Sequence, residues 1–224
     1  MNELVAFGLD ETGLVLIPGT EYKIREAALE PFLSLSDAAK REGFEIRVES
    51  SYRSFERQLS IWNRKATGKL TLLDSKGIPF KELLNDEDVL MRAILLWSAL
   101  PGASRHHFGS DLDVVDATAI PDGYEVKLTE EECCGMFAPF HEWLTSKIKA
   151  KESFGFDRVF VPGRGSIRPE PWHISHIPTA RNLQDAFDPQ SLRLIYEHSA
   201  MALKNAVLTH FDELMKSTVF PYFL

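Results

Sequence analysis

The stretch SRHHFGSDLD, residues 104–113, places two histidines, two aspartates and a glycine within ten positions. Gly109 predicts a tight turn, and the residues that follow it predict a strand with Leu112 and Val114 directed toward a core. Side chains alternate along a strand, so Asp111 and Asp113 are expected to share the opposite face. This stretch therefore predicts a strand that carries two carboxylates on one face.

His106 lies just before the predicted turn and can fold back beside Asp113. One imidazole and one carboxylate at this separation suit a divalent metal ion. A loop rich in histidine and aspartate is also typical of a solvated surface, and this stretch alone leaves both interpretations open.

The segment EPWHISH, residues 170–176, supplies a second histidine. His106, Asp113 and His173 together give the three protein ligands that a catalytic zinc takes, with a fourth position left for water. Such a site needs a nearby carboxylate that is not a ligand, and Glu170 is placed for general acid–base work. Trp172 can either wall the site or belong to the core.

The segment ESSYRSFERQ, residues 49–58, adds an arginine where a predicted strand gives way to a helix capped by Ser54. Arg53 could pair with a carboxylate through a two-bond fork. The alternative is an exposed arginine near Glu49 or Glu56.

Outward from these segments, strands and helices mix without a repeating strand–helix–strand unit, and no glycine-rich phosphate loop follows a strand. We therefore predict an α+β fold, with a small, mostly antiparallel sheet flanked by helices and the zinc site at the sheet. The spacing of apolar and polar residues predicts strands in residues 3–18 (two), 44–52, 110–116 and 154–161. It predicts helices over residues 21–41, 54–68, 86–100, 133–151 and 189–216, the last as one long C-terminal helix.

Composition and charge bound the function classes. The chain has 224 residues, 44% of them hydrophobic and 26% charged, with a formal net charge of −8. This balance argues against non-specific binding to nucleic acid or anionic membranes. Cys133 and Cys134 are expected to be reduced thiols. No signal peptide or membrane span is visible, which predicts a cytoplasmic protein as given, or a periplasmic or extracellular one if a leader was removed.

Taken together, the three segments resemble the signatures of the VanY-type D-alanyl-D-alanine carboxypeptidases, zinc peptidases related to D,D-dipeptidases, L,D-carboxypeptidases and murein endopeptidases. The resemblance covers about residues 45–177. The positions that match the family patterns are Ser50, Tyr52, Arg53, Ser54, Gln58, Ser104, His106, Gly109, Asp113, Glu170 and His173.

The resemblance implies one zinc per chain on His106, Asp113 and His173, with Glu170 as the proton carrier. It implies that Arg53 orients the substrate and stabilises the oxyanion, and that Ser104 contacts the substrate. Gln58 and Trp172 are predicted as further substrate-binding residues. Asp111 departs from the pattern, which has alanine there. It is expected either to hydrogen-bond a ligand histidine or to bind a positive group on the substrate.

His107 and His176 are expected to support the site or lie at the surface, because a fourth protein ligand would displace the water. We predict a single zinc peptidase domain over residues 1–224, with an N-terminal hairpin and helix (1–43) and a C-terminal helical extension (185–224).

The expected activity is cleavage of a peptidoglycan-type peptide by a D-alanyl-D-alanine carboxypeptidase. L,D-carboxypeptidase, D,D-dipeptidase and murein endopeptidase activities are alternatives. A metal-containing module that binds peptides without cutting them is a further alternative, disfavoured by Glu170. The oligomeric state is left open.

Overall fold

The central sheet of the computed structural model, which describes residues 3–74, 77–80 and 84–224, has four antiparallel strands. A two-stranded hairpin precedes it in the chain. The strands are β1 (Leu14–Leu16), β2 (Lys23–Arg25), β3 (Ile46–Ser50), β4 (Asp111–Asp116), β5 (Phe156–Asp157) and β6 (His173–His176). β1 pairs with β2, and the central sheet has the order β3-β4-β6-β5. The predicted α+β class with a small antiparallel sheet is confirmed.

Helices surround the sheet. They are α1 (Glu3–Ala6), α2 (Glu26–Arg41), α3 (Phe55–Ala66), α4 (Glu87–Leu95), α5 (Glu130–Cys134), α6 (Ala138–Lys149), α7 (Ile177–Gln184), α8 (Pro189–His198), α9 (Lys204–Thr209) and α10 (Phe211–Leu214). The predicted cap of α3 is confirmed, because the Ser54 side chain accepts a hydrogen bond from the Arg57 backbone N–H. Among the described residues, no helix has both the length and the apolar character that crossing a membrane requires.

β4 lies between β3 and β6 and is buried along its whole length. Leu112 and Val114 pack into a core shared with α2 and α6, to which Phe32, Leu35 and Phe140 contribute. The alternation of side chains then places Asp111 and Asp113 on the other face of the strand, as predicted.

A second core lies among the remaining helices. Phe55 and Trp62 of α3, Ile94 of α4, Tyr196 of α8 and Phe211 of α10 are all buried in it. The C-terminal extension therefore packs against the helix that follows the arginine segment.

The first of the two strands predicted in residues 3–18 is wrong, because the chain forms α1 (Glu3–Ala6) there. Val5, Ala6 and Phe7 are buried in succession, which the alternating faces of a half-buried strand do not allow. β1 pairs instead with β2, so the helix predicted from residue 21 begins at Glu26.

The prediction of helix in the C-terminal extension is confirmed, but the single long helix over residues 189–216 is wrong. α8 ends before Ser199, which is extended, and Leu203 has a φ of +58°. Backbone carbonyls between these two residues accept hydrogen bonds from side chains of α3 instead of forming helical hydrogen bonds. The Trp62 indole donates to the Ala202 carbonyl (2.8 Å), and the Asn63 amide donates to the Ala200 carbonyl (3.0 Å).

Other predicted elements are shorter than expected. The strand predicted over residues 154–161 is reduced to β5, and the helix predicted over residues 86–100 ends at Leu95. The helix predicted over residues 133–151 is two helices, α5 and α6, with Gly135 after the first.

Candidate active site

Three buried side chains converge where β4 pairs with β6. Atoms of His106, Asp113 and His173 that can bind a metal all lie within 4.8 Å of one another. His106 Nε2 is 3.3 Å from Asp113 Oδ2, and His173 Nδ1 is 3.1 Å from Asp113 Oδ1. The structure thus brings together the three predicted ligands, which could hold one metal ion.

Local structure explains this convergence. Asp113 and His173 are paired directly across the antiparallel strands. His106 lies in a 3-10 turn, Arg105–Phe108, which Gly109 ends with a φ of +67°. That left-handed φ favours glycine, and a Cβ there would also stand 2.6 Å from Leu14 Cδ2 of the β1–β2 hairpin.

Each histidine is held through the ring nitrogen that faces away from the cluster. His106 Nδ1 lies 2.9 Å from the Ser51 carbonyl, and His173 Nε2 lies 2.9 Å from Asp111 Oδ1. Metal-binding histidines characteristically donate their second ring N–H to a carbonyl or carboxylate in this way. The donor set and its outer hydrogen bonds therefore fit a zinc ion.

Asp111 is fully buried beneath His173 and does not line the cavity described below. Arg105 Nε donates to Asp111 Oδ1 (2.7 Å), and Arg105 Nη2 donates to Ser175 Oγ (2.6 Å). Burial would raise the pKa of Asp111, but Arg105 and His173 outweigh that effect and hold it well below its usual range. Of the two roles predicted for Asp111, the geometry matches the bond to a ligand histidine.

For His173 and Asp113, attraction between opposite charges outweighs the effect of burial on the pKa. Desolvation would lower the pKa of His173, yet hydrogen bonds to Asp111 and Asp113 raise it to about 9. Desolvation likewise would raise the pKa of Asp113, but His106 and His173 hold it well below its usual range. The two carboxylates thus make this pocket favourable for positive charge.

Glu170 lies beside the cluster without belonging to it. Its Oε2 is 3.6 Å from His173 Nδ1. Burial raises the pKa of Glu170 to about 7, and Asp113 adds to that rise, while His173, Arg53 and Lys65 counteract it. A carboxylate in this state can accept and return a proton near neutral pH.

A cavity of about 520 Å³ opens over these groups. Its polar lining includes Arg53, Lys65, Ser104 and Glu170, and Trp172 forms part of the wall. The predicted substrate-binding residues Arg53, Ser104 and Trp172 are therefore at the cavity, whereas Gln58 and Asp111 lie behind its wall.

Arg53 is held on several sides. Its Nη1 donates to Gln58 Oε1 (2.8 Å) and its Nη2 to Ser50 Oγ (3.1 Å). Its backbone N–H donates to the His106 carbonyl, and its own carbonyl lies 2.5 Å from His107 Nδ1. Gln58, fully buried, thus contacts the guanidinium rather than the cavity.

The two additional histidines lie outside the metal cluster. His107 uses its second ring nitrogen to accept from the Gly102 N–H (2.9 Å), and His176 Nδ1 bonds to Thr179 Oγ1 (2.8 Å). Both are buried, so the surface alternative does not apply to them.

Sequence reasoning missed Lys65. Its Nζ donates to Ser98 Oγ (2.6 Å), and burial lowers its pKa to about 8, as does Arg53. Within the described residues, neither Lys65 nor Arg53 forms an ion pair with a carboxylate. Lys65 follows Gln58 by seven residues, two helical turns, so its position on the same face of α3 was a usable signal.

Arg105 and Tyr222 were missed as well. Arg105 stands inside the histidine segment, six residues before the aspartate that it pairs with, which resembles an ordinary surface charge in the sequence. Tyr222 lines the cavity from the end of the C-terminal extension and carries no motif.

Comparison with known proteins places these groups in a family. The family model described as VanY, D-alanyl-D-alanine carboxypeptidase, matches residues 21–179. The putative carboxypeptidase YodJ of Bacillus subtilis is 26% identical over 167 residues, which cover 72% of this chain and 50% of YodJ. An uncharacterised protein of Haemophilus influenzae is 25% identical over 122 residues, which cover 54% of this chain and 92% of that protein.

Solved structures share the fold. The LdcB LD-carboxypeptidase aligns with a TM-score of 0.53 and 22% identity over 87% of this chain and 77% of LdcB. A VanY D,D-pentapeptidase mutant from a VanB-type resistance cassette, in complex with Zn(II), aligns with a TM-score of 0.50 and 22% identity, over 87% of this chain and 88% of that one.

Proposed function

The chain belongs to the VanY family of D-alanyl-D-alanine carboxypeptidases, and from that premise we propose that it is a zinc-dependent carboxypeptidase. Its substrate is a peptidoglycan-type peptide that ends in D-Ala-D-Ala, from which it releases the terminal D-alanine. The observation that carries this proposal is the triad of His106, Asp113 and His173 with Glu170 3.6 Å from His173, on a cavity that also presents Arg53.

Zinc held by the triad would supply a Lewis acid for the scissile carbonyl and lower the pKa of the attacking water. Glu170 takes a proton from that water as the oxygen bonds to the carbonyl carbon. When the carbon–nitrogen bond breaks, Glu170 returns the proton to the leaving amine. Asp111 holds the imidazole of His173 in one tautomer throughout, because it accepts from Nε2 and leaves Nδ1 toward the triad.

A carboxypeptidase must recognise a free terminal carboxylate, and Arg53 and Lys65 provide the positive charge for it. Both line the cavity, and within the described part of the chain neither forms a close ion pair with a carboxylate, although Glu170 attracts both. A partly buried cation without a close ion-pair partner is stabilised when a further anion joins it. This charge favours an exopeptidase over an endopeptidase, whose substrate has no carboxylate at that point.

The proposal is tested by incubating the zinc-loaded protein with three peptides and identifying the products by mass. They are D-Ala-D-Ala, a pentapeptide ending in D-Ala-D-Ala, and a tetrapeptide ending in L-Lys-D-Ala. Release of D-alanine from the pentapeptide is expected. Preferential cleavage of the dipeptide or the tetrapeptide would replace the proposal with D,D-dipeptidase or L,D-carboxypeptidase activity.

The Glu170→Gln variant separates an enzyme from a binding module. It keeps shape and hydrogen bonding but cannot take the proton, so hydrolysis should fall by about 10²–10⁴-fold while zinc and peptide remain bound. Glu142→Gln, an exposed acid on α6, is the control. Peptide binding without hydrolysis by the wild-type protein would favour the non-catalytic module.

A further inference from the structure

The loop that leads to Glu170 rests on the last residues of the C-terminal extension. Tyr222 is 1% exposed, and its hydroxyl donates to the Arg164 carbonyl (2.6 Å) while accepting from the Ile167 backbone N–H (2.8 Å). Ser217 adds a third link, because its carbonyl accepts from the Ser166 N–H (3.0 Å). Residues of the C-terminal extension thus hold this loop in place.

Gly165 shows how closely the two segments approach. It has a φ of +61°, and a Cβ there would lie 2.5 Å from the Tyr222 hydroxyl oxygen. A side chain would therefore collide with the phenol ring, and the glycine lets the loop lie flat against it.

Tyr222 is also linked to Glu170 through Phe160. Its ring centroid lies 4.7 Å from that of Phe160, which itself lies 4.7 Å from the imidazole of His173. The Phe160 carbonyl accepts from the Glu170 N–H (3.1 Å). The phenol ring therefore contacts Phe160, the residue whose carbonyl accepts from Glu170, in addition to the hydroxyl's bonds to Arg164 and Ile167.

The backbone of the same residue supports the metal triad. Arg105 Nη1 donates to the Tyr222 carbonyl (2.7 Å), and Arg105 pairs with Asp111, which accepts from His173. One buried tyrosine therefore contacts the supports of both Glu170 and a ligand histidine.

We propose that Tyr222 is a positioning residue for the Glu170 carboxylate, and that it acts through the hydrogen bonds of its hydroxyl to residues 164–167. The inference rests on the proposed function, since it assigns Tyr222 to the base of that reaction. It also makes the end of the C-terminal extension, which lies beyond the matched residues 21–179, a working part of the site.

Tyr222→Phe tests this, because it removes only the hydroxyl and leaves the ring and the Arg105 contact. We expect kcat to fall about 10-fold, as small misplacements of catalytic groups are costly, with KM and zinc affinity unchanged. Tyr196→Phe is the matched control. Tyr196 is another fully buried tyrosine of the extension whose hydroxyl donates to a backbone carbonyl, that of Pro101 (2.7 Å), and it does not line the cavity.

A double-mutant cycle distinguishes positioning from general stability. In the Glu170→Gln background, Tyr222→Phe should change kcat by less than about twofold, because a residue that acts through Glu170 has nothing left to position. An equal factor in both backgrounds, or no effect in the wild type, would overturn the proposal.

Hydrogen exchange at the Ile167 amide gives a readout that needs no activity. Protection should drop in Tyr222→Phe and persist in Tyr196→Phe; unchanged protection in Tyr222→Phe would overturn the proposal. If the wild type cleaves none of the peptides, the proposed function fails. The exchange result alone then decides whether Tyr222 holds the loop.

Discussion

The sheet side of the cavity and the side formed by the C-terminal extension are built on different principles. The sheet side presents Asp113 and His173 from paired strands, with His106 from the turn before them. The extension presents Thr218, Val219, Tyr222 and Phe223, none of which belongs to a recognisable motif. The groups proposed to react therefore come from short segments of fixed spacing, while residues that only the folded chain brings near contact the segments that hold them.

The largest expected effect falls on the sheet side. His173→Ala should abolish zinc binding and reduce hydrolysis to background, because two protein ligands remain. His176→Ala is the control, since His176 lies buried on the same strand but bonds to Thr179. Metal analysis with circular dichroism checks this; full zinc occupancy in a folded His173→Ala variant would remove His173 from the site.

A smaller effect is expected at Asp111, which hydrogen-bonds to the predicted ligand His173. Asp111→Asn should weaken zinc binding by about 10- to 100-fold, the range typical of outer hydrogen-bond partners. Asp116→Asn is the control, because Asp116 is a buried acid of the same strand that bonds to the Glu45 and Thr118 amides. Zinc titration against a competing chelator measures both. Equal affinities in the two variants would mean that Asp111 is not part of the metal support.

Arg53 lines the cavity, where we propose that it contacts the substrate. Arg53→Lys should lower kcat/KM about 20-fold, because a point charge cannot reproduce the fork and loses about 2 kcal/mol of charged hydrogen bonding. Arg57→Lys, on the exposed side of α3, serves as the control. Wild-type kinetics in Arg53→Lys would reduce this arginine to a structural role.

The smallest effect is expected at Lys65. Lys65→Gln should raise KM about fivefold for a free-acid peptide, which corresponds to ~1 kcal/mol for a partly solvated ion pair. The same peptide with an amidated C-terminus should show no difference between variant and wild type. Lys69→Gln, an exposed lysine just beyond α3, is the control. An equal change with both peptides would show that Lys65 does not contact the carboxylate.

Local signals explain how much of this molecule the sequence could reveal. The alternation around Leu112 predicted β4 and the common face of its two aspartates, and the hydroxyl of Ser54 predicted the start of α3. The ligand set followed, because His106 needs only one turn to reach Asp113 and His173 stands within an equally short segment.

Tertiary contacts account for what the sequence could not reveal. The helix predicted over residues 189–216 breaks after His198, where Trp62 and Asn63 of α3 donate to the backbone carbonyls of Ala202 and Ala200, more than 130 positions along the chain. Tyr222 lies 117 positions from Arg105, and the two meet only after the extension has packed. No local pattern encodes contacts of this kind, so the apolar periodicity of the sequence continues beyond the C-terminal end of α8.

The pairing of Asp113 with His173 has a consequence for how β4 and β6 find their alignment. A one-residue slip would turn the whole face of β6 away from the aspartates. A two-residue slip keeps the face and sets Asp111 opposite His173, so alternation alone does not discourage it. Asp111 already forms an ion pair with Arg105, so Asp113 is the acid available at the cavity. An ion that binds only the aligned pair stabilises that arrangement by mass action. Zinc would therefore favour the correct register of β4 and β6 in addition to its proposed role in catalysis.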